Sequence, residues 1–446
     1  MHPYLPHTPQ DERKMVKAIG VTSVEELFQD VPQAIRMKEK IQLPPGKSEY
    51  EVIDFLRTLS NQNKQGISFL GCGSYDHYIP SVVHHITGRS EFTTAYTPYQ
   101  AEISQGVLQA IFEFQTFMCR LTGLDVSNAG LYDGHTAAYE ASVIALNSVR
   151  KTDTILYSST IHPFTKKVLT TYFGGTEIAC VEIKEDRGVT SIKDLEEKLT
   201  PSVAAVILQS PNTYGYLEDV TDISSMLEKT KGIFILSSNP LSLGILKTPA
   251  QWGADIAIGD TQPLGLQSYF GGPSVGYITA REKYIRKMPG RIAGETVDQD
   301  GKRGFVLTLQ AREQHIRREK ASSNICSNQA LAALANSVYC ALMGKEGMKE
   351  VARRNLENAH YLYEKLIKVP GITSYEEREF FNEFTLILKK SPKLVVTELM
   401  QKGFLAGVPR ERLTGKDNKQ LTLAVTEKRT QEEMDSFVNA MKEELS

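Results

Sequence analysis

Residues 232–260, GIFILSSNPLSLGILKTPAQWGADIAIGD, hold two short apolar runs, GIFILSS and ADIAIGD, on either side of a loop. Both are rich in isoleucine and too short for helices, which predicts strands buried on both faces. The same texture continues on either side. DVSNAG leads to the helix GHTAAYEASVIALNSVR, the strand DTILYS and the helix PFTKKVLTTYFGG. TEIACVEI, SIKDLEEKLT and VAAVILQ repeat the alternation, and the loop SPNTYGYLED, the helix ISSMLEKTK and the strand VGYITA complete it. Such alternation predicts an α/β domain with a mainly parallel sheet covered by helices on both faces. Right-handed crossovers then place the strand ends, and any ligand crevice, on one edge of the sheet.

The flanks read differently. The first sixty residues form a polar arm whose clearest element is KSEYEVIDFLRTLSNQN, with Ser48 as N-cap and Glu51 completing a capping box. In QAEISQGVLQAIFEFQTFMCRLTG, Ile103, Val107, Ile111 and Phe114 are spaced like one helix face, closed by Gly123. After Arg281 comes a polar, Arg-rich connector, then two helices, NQALAALANSVYCALMG and KEGMKEVARRNLENAHYLYEKL. A smaller α+β unit with strands EFTLILK and LTLAVT ends the chain. The expected organisation is an arm over residues 1–65, a large α/β domain over 66–325 and a small α+β domain over 326–446.

Composition excludes several classes. With 51 basic and 53 acidic residues the net charge is −2, so no global field favours nucleic acid or an anionic membrane. No apolar run approaches the roughly 18–20 residues that span a bilayer. The opening MHPYLPHTPQDERK lacks the pattern of a signal peptide, and Cys72, Cys119, Cys180, Cys326 and Cys340 are scattered. Reduced thiols and a cytoplasmic location are expected.

The order of features, a large α/β domain, a Gly-Gly hairpin after a late strand and an Arg-rich linker into an α+β domain, resembles the aspartate-aminotransferase-like enzymes. These are fold type I of the pyridoxal-phosphate (PLP) enzymes. YTPYQAEISQGVLQAIFEFQTFMCRLTG followed by SNAGLYDGHTAAYEA narrows the resemblance to the P-protein family of the glycine cleavage system. MHPYLPHTPQDERKM and REQHIRREKASSNICSNQAL extend it over essentially the whole chain, in the form split into two chains and to the first, or α, chain.

That resemblance implies an enzyme that decarboxylates glycine and passes the aminomethyl group to the lipoyl arm of H-protein, with PLP as electron sink. It also implies a Schiff-base lysine and an aspartate facing the pyridine nitrogen. Here Asn239 stands where the aspartate belongs, and Gln262, in GDTQ, where the lysine belongs. An amide forms no imine. The expectation is a chain that holds no PLP covalently and completes the site of a lysine-bearing β chain, which carries the cofactor. Lys247 offers a rival reading as a self-sufficient enzyme, against its plainer reading as a loop lysine. A second rival is a pure scaffold of the sister chain.

Under the resemblance, Tyr96, Tyr99, Gln100 and Glu102 are candidates for completing the partner's site, or else they pack a capped helix. Asn128, Tyr132, Asp133, His135 and Thr136 occupy the family's phosphate loop. Asp133 would repel a phosphate there, so the loop reads as vestigial. Gly271 and Gly272 either approach the partner's PLP phosphate or form a plain hairpin turn. His77, His84 and His85 lack the spacing of zinc ligands. The basic run REQHIRREK, with Arg312, Arg317 and Arg318 partly on one helix face, is either a solvated face or a dock for the partner chain or H-protein.

Overall fold

A computed structural model describes residues 4–446 except 38, 40, 95, 96, 269, 270, 322, 326–328 and 417. Two units emerge, residues 1–64 and 65–446. The first holds helices α1 (Pro9–Ile19) and α2 (Glu49–Asn61), and Ser48 with Glu51 forms the capping box expected for α2. None of its described residues is buried, so the unit has no core of its own.

In the second unit the strands are β1 (Val126–Ser127), β2 (Thr154–Ser158), β3 (Ala179–Ile183), β4 (Val203–Gln209), β5 (Ile233–Ser237), β6 (Ile256–Asp260) and β7 (Gly276–Ala280). They form one sheet in the order β1-β7-β6-β5-β4-β2-β3. The five strands from β2 to β6 run parallel to one another, and β7 runs antiparallel to both β6 and β1. Both faces are covered, as the unbroken apolar runs require. Along β4, Ala205 and Ile207 enter one core with Ala141 and Ile144, while Val206 and Leu208 enter the opposite core with Ile223 and Leu227. This period of two turns one apolar run into the middle layer of a sandwich.

Helix α3 (Gln105–Thr122) is capped by Gly123 at φ 73°, and α4 (Gly134–Ser148) and α5 (Pro163–Phe173) follow β1 and β2. Ile103 departs from expectation: it lies in a separate 3-10 turn and is 79 % exposed, while Leu108, Ile111, Phe114 and Met118 are the buried apolar residues of α3. The polar connector also departs, because it contains a hairpin of β8 (Ile292–Val297) and β9 (Arg303–Thr308). REQHIRREK is no single helix either. It breaks into short turns, and Arg318 has φ 54°. The two long C-terminal helices run as α6 (Ala330–Leu366), interrupted at Gly344, whose φ of 56° and ψ of −169° are not helical.

The C-terminal sheet is antiparallel, with β10 (Ile372–Ser374), β11 (Glu383–Leu388), β12 (Val408–Pro409) and β13 (Gln420–Ala424) in the order β10-β11-β13-β12. Unexpectedly, Ile67–Ser68 pairs with Phe404–Leu405, so the chain leaving the first unit joins the C-terminal region first.

Asn336, fully buried in α6, ties that helix to the segment after β6. Its Oδ1 accepts from Thr261 Oγ1 (2.7 Å), and its Nδ2 donates to Leu264 O (2.7 Å) and Thr261 O (3.2 Å). Asn336→Ala leaves two buried carbonyls without this donor, and a loss of roughly 2–4 kcal/mol is expected. The urea midpoint of the full chain measures it, and an unchanged midpoint would contradict the role assigned to this amide.

Candidate active site

A cavity of about 380 Å³ opens at the carboxyl ends of β4, β5 and β6, beside the N-terminus of α4. This is where a doubly wound sheet gathers its loops. Two imidazoles form one wall, His135 from the first turn of α4 and His162 just before α5, with ring centroids 4.6 Å apart. His162 Nε2 donates to Cys72 O (2.9 Å), and its Nδ1 accepts from Phe164 N (3.1 Å). That pattern requires the neutral Nε2–H tautomer. Burial, with the neighbouring His135, pushes His162 down to about 3. His135 is also lowered by burial, against Asp133 and Asp260, and its Nδ1 bonds Thr165 Oγ1 (2.9 Å). The wall is an uncharged aromatic surface.

Gln262, at the end of β6, is fully engaged. Its Oε1 accepts from Tyr75 N (2.9 Å), and its Nε2 donates to Tyr75 O (3.0 Å) and Leu266 O (2.8 Å). The amide clamps the backbone of the 72–75 loop as another strand's peptide would. A lysine there would have no acceptor for Tyr75 N. Asn239 also lines the cavity. Its Oδ1 accepts from Leu241 N (3.0 Å), and its Nδ2 is buried without a partner.

The N-terminus of α4 already holds two carboxylates. Asp133 is the N-cap, accepting from Thr136 N (2.7 Å), and Thr136 Oγ1 accepts in turn from Asp133 N (3.2 Å). Asp260 accepts from Gly134 N (3.2 Å), from Gln262 N (2.9 Å) and from Ser274 Oγ. Gly134 permits this approach, because a Cβ there would lie 2.9 Å from Asp260 N. Burial raises the pKa of Asp260, opposed by these hydrogen bonds. A helix N-terminus attracts one anion, and here the protein supplies it. Asp260 was missed in the sequence, although its carboxylate lies at a strand end two residues before Gln262.

These residues do not fit PLP. No lysine is among the described residues lining the cavity, no carboxylate stands at Asn239, and the phosphate position faces Asp133 and Asp260. Lys247 is exposed, lies over the Trp252 ring at 4.4 Å and is absent from the cavity wall.

The structure sorts the remaining candidates into separate places. Thr136, Asp133, His135, Asn239, Gln262, Gly271 and Gly272 gather at or around this cavity. Gly271 (φ 115°) and Gly272 (φ 143°) line it in backbone conformations that favour glycine. Tyr132 is exposed immediately before the N-cap. Asn128 is elsewhere, fully buried, with its amide spent on Pro289 O (3.0 Å) and Gly130 N (3.0 Å). Tyr99 is half exposed and meets Arg291, whose Nη2 donates to its hydroxyl (3.1 Å), and the His315 ring at 5.4 Å. Gln100 and Glu102 are exposed beside it, and Tyr96 lies outside the described residues. Arg312 donates to Met288 O and keeps two buried nitrogens without partners, whereas Arg317 and Arg318 are exposed. His77 pairs with Glu427 (2.8 Å), His84 faces Gln267 (3.2 Å) and His85 is exposed. Cys72, Cys119, Cys180 and Cys340 are free thiols, only Cys340 being fully buried, and Cys326 lies outside the described residues.

Glu383, on the cavity's far wall, accepts from Cys72 N (2.5 Å) and Tyr75 OH (3.2 Å). Burial raises its pKa from 4.5 to about 7. The folded state therefore takes up this proton before the unfolded chain does. The group's contribution to stability is full below pH 4.5 and is lost as pH rises through about 7. Relative to Glu383→Gln, the native chain should lose roughly 3 kcal/mol across that window. Unfolding curves of both proteins against pH measure it, and a constant difference would show that the carboxyl is not desolvated.

The model for the glycine cleavage system P-protein matches residues 2–441. Over 444 residues the chain is 49 % identical to probable glycine dehydrogenase (decarboxylating) subunit 1 of Bacillus cereus, with 99 % of each chain covered. Identity to the protein of the same name from Bacillus thuringiensis is also 49 %, with 99 % of each covered. A crystal structure of glycine decarboxylase (P-protein) of the glycine cleavage system, in inhibitor-bound form, superposes with a TM-score of 0.89 at 41 % identity, covering 99 % of both chains. A NifS-like protein from Rickettsia africae shares the fold alone, with a TM-score of 0.64 at 14 % identity over 85 % of this chain and 99 % of that one. The fold is that of the aspartate-aminotransferase-like, type I PLP enzymes, and the chain belongs to the glycine cleavage system P-protein family.

Proposed function

We propose that this chain is the cofactor-free subunit of a two-chain glycine dehydrogenase (decarboxylating). It completes the active site of a lysine-bearing second subunit, on which PLP supplies the electron sink for glycine decarboxylation and for aminomethyl transfer to the lipoyl arm of H-protein. The observation that carries this reading is Gln262. It stands in the family's lysine position, and both ends of its amide are committed to the Tyr75 backbone. The carboxylates at the start of α4 support the same conclusion, since they leave no place for a phosphate.

The contribution to the second subunit's site falls on the surface around Tyr99, Gln100 and Glu102. Tyr99 is held by Arg291 and His315, and Gln100 and Glu102 are free to meet another chain. Exposed Ile103 beside them adds an apolar contact for a subunit interface. Relatives called subunit 1 over 99 % of their length support the existence of that second chain.

Two measurements test the reading. The isolated chain treated with PLP and borohydride should acquire no covalent label, and in the assembled enzyme the label should map to the second subunit. A label on this chain overturns the reading. Tyr99→Phe and Glu102→Gln should each lower turnover at least ~10-fold while leaving assembly intact. If turnover survives both changes, the chain is a scaffold.

A further inference from the structure

A second cleft, of about 740 Å³, lies between the start of α5 and the C-terminal sheet. Its wall includes Arg410, which is only 2 % exposed. The guanidinium lies 3.8 Å from the Tyr214 ring centroid, and its Nη1 donates to Thr213 O (2.6 Å). Nε is buried without an acceptor, Nη2 makes no hydrogen bond, and no carboxylate of the described residues forms an ion pair with it. Nε and Nη2 form the side edge of the guanidinium, whose two parallel N–H bonds match the two oxygens of a carboxylate or phosphate. That edge is the unused one.

The surrounding charges point the same way. Among the described residues, Lys184 and Lys416 line the cleft without an ion pair, and Lys167 lies over the Phe164 ring at 5.3 Å. Of the two acidic groups among the described lining residues, Glu182 is paired with Lys166 (2.9 Å) and Glu185 accepts from Tyr375 OH (3.0 Å). Arg410, Lys167, Lys184 and Lys416 thus line this one cleft, with Glu383 offsetting part of the charge of Arg410 and Asp194 part of that of Lys184. A concave wall of one sign focuses the field on an anion. A buried guanidinium N–H without an acceptor is costly, and an oxyanion at Nε offsets that cost.

We propose that this cleft binds a small-molecule oxyanion, a carboxylate or a phosphate, on the Nε–Nη2 edge of Arg410, with Lys184 and Lys416 closing over it. The site is distinct from the cavity at the ends of β4 to β6, because none of these cations lines that cavity.

The test is calorimetric titration of the full-length chain with inorganic phosphate and, separately, acetate, at an ionic strength held constant with chloride. Saturable binding of one of them is expected, and the anion that binds identifies the source. The double variant Lys184→Gln, Lys416→Gln should weaken it roughly tenfold or more. Arg410→Lys, which keeps the charge but loses the fork, should weaken it further, whereas Lys229→Gln on a distant exposed surface should not. If Arg410→Lys fails to fold, the double variant decides. Absence of saturable binding for both anions, or unchanged affinity in the double variant, overturns the proposal.

Discussion

The carboxylate of Asp260 is the point through which the site region is held together. One residue at the end of β6 bonds the first amide of α4, the backbone of Gln262 and the hydroxyl of Ser274. It thereby joins a strand end, a helix start and the return into β7. These groups are desolvated, so each bond acts in a medium where it is stronger than in water and where losing one is expensive. The cavity's shape follows from this anchor, and its wall of neutral histidines lies against the same helix start.

That arrangement also satisfies the start of α4 from within the chain. A phosphate bound at a helix N-terminus screens the dipole and organises the loops around it. Asp133 and Asp260 perform both tasks as covalent parts of the chain. Gln262 likewise clamps the Tyr75 backbone with both ends of its amide. Gln262 satisfies buried polar groups of the loop beside it, whereas Asn239 leaves its own Nδ2 without a partner.

The candidates that the motifs placed together do not all meet in space. Asn128 and Thr136 come from one short stretch, yet Asn128 is consumed by Pro289 while Thr136 completes the capping box with Asp133 in the first turn of α4. Tyr99 meets Arg291 from a segment almost two hundred residues away, a contact that no local pattern signals. Ile103 has the spacing of a buried helix face, but a 3-10 turn separates it from α3 and leaves it in solvent. Periodicity reports which residues could share a face only if one helix continues through them. The hairpin β8–β9 escaped notice because its polar strands lack the apolar alternation that marks a half-buried sheet.

Local chemistry in the sequence determined the strand and helix order, the caps at Ser48 and Gly123, and the absence of an imine-forming side chain at position 262. These depend on residue type and short-range spacing, which the chain carries wherever it folds. Only the tertiary structure decided what Gln262, Asp260 and Arg410 do, because each takes its meaning from partners distant in sequence: Tyr75, Gly134 and Thr213. Hydrogen-bond satisfaction in a buried site is a property of the assembled environment.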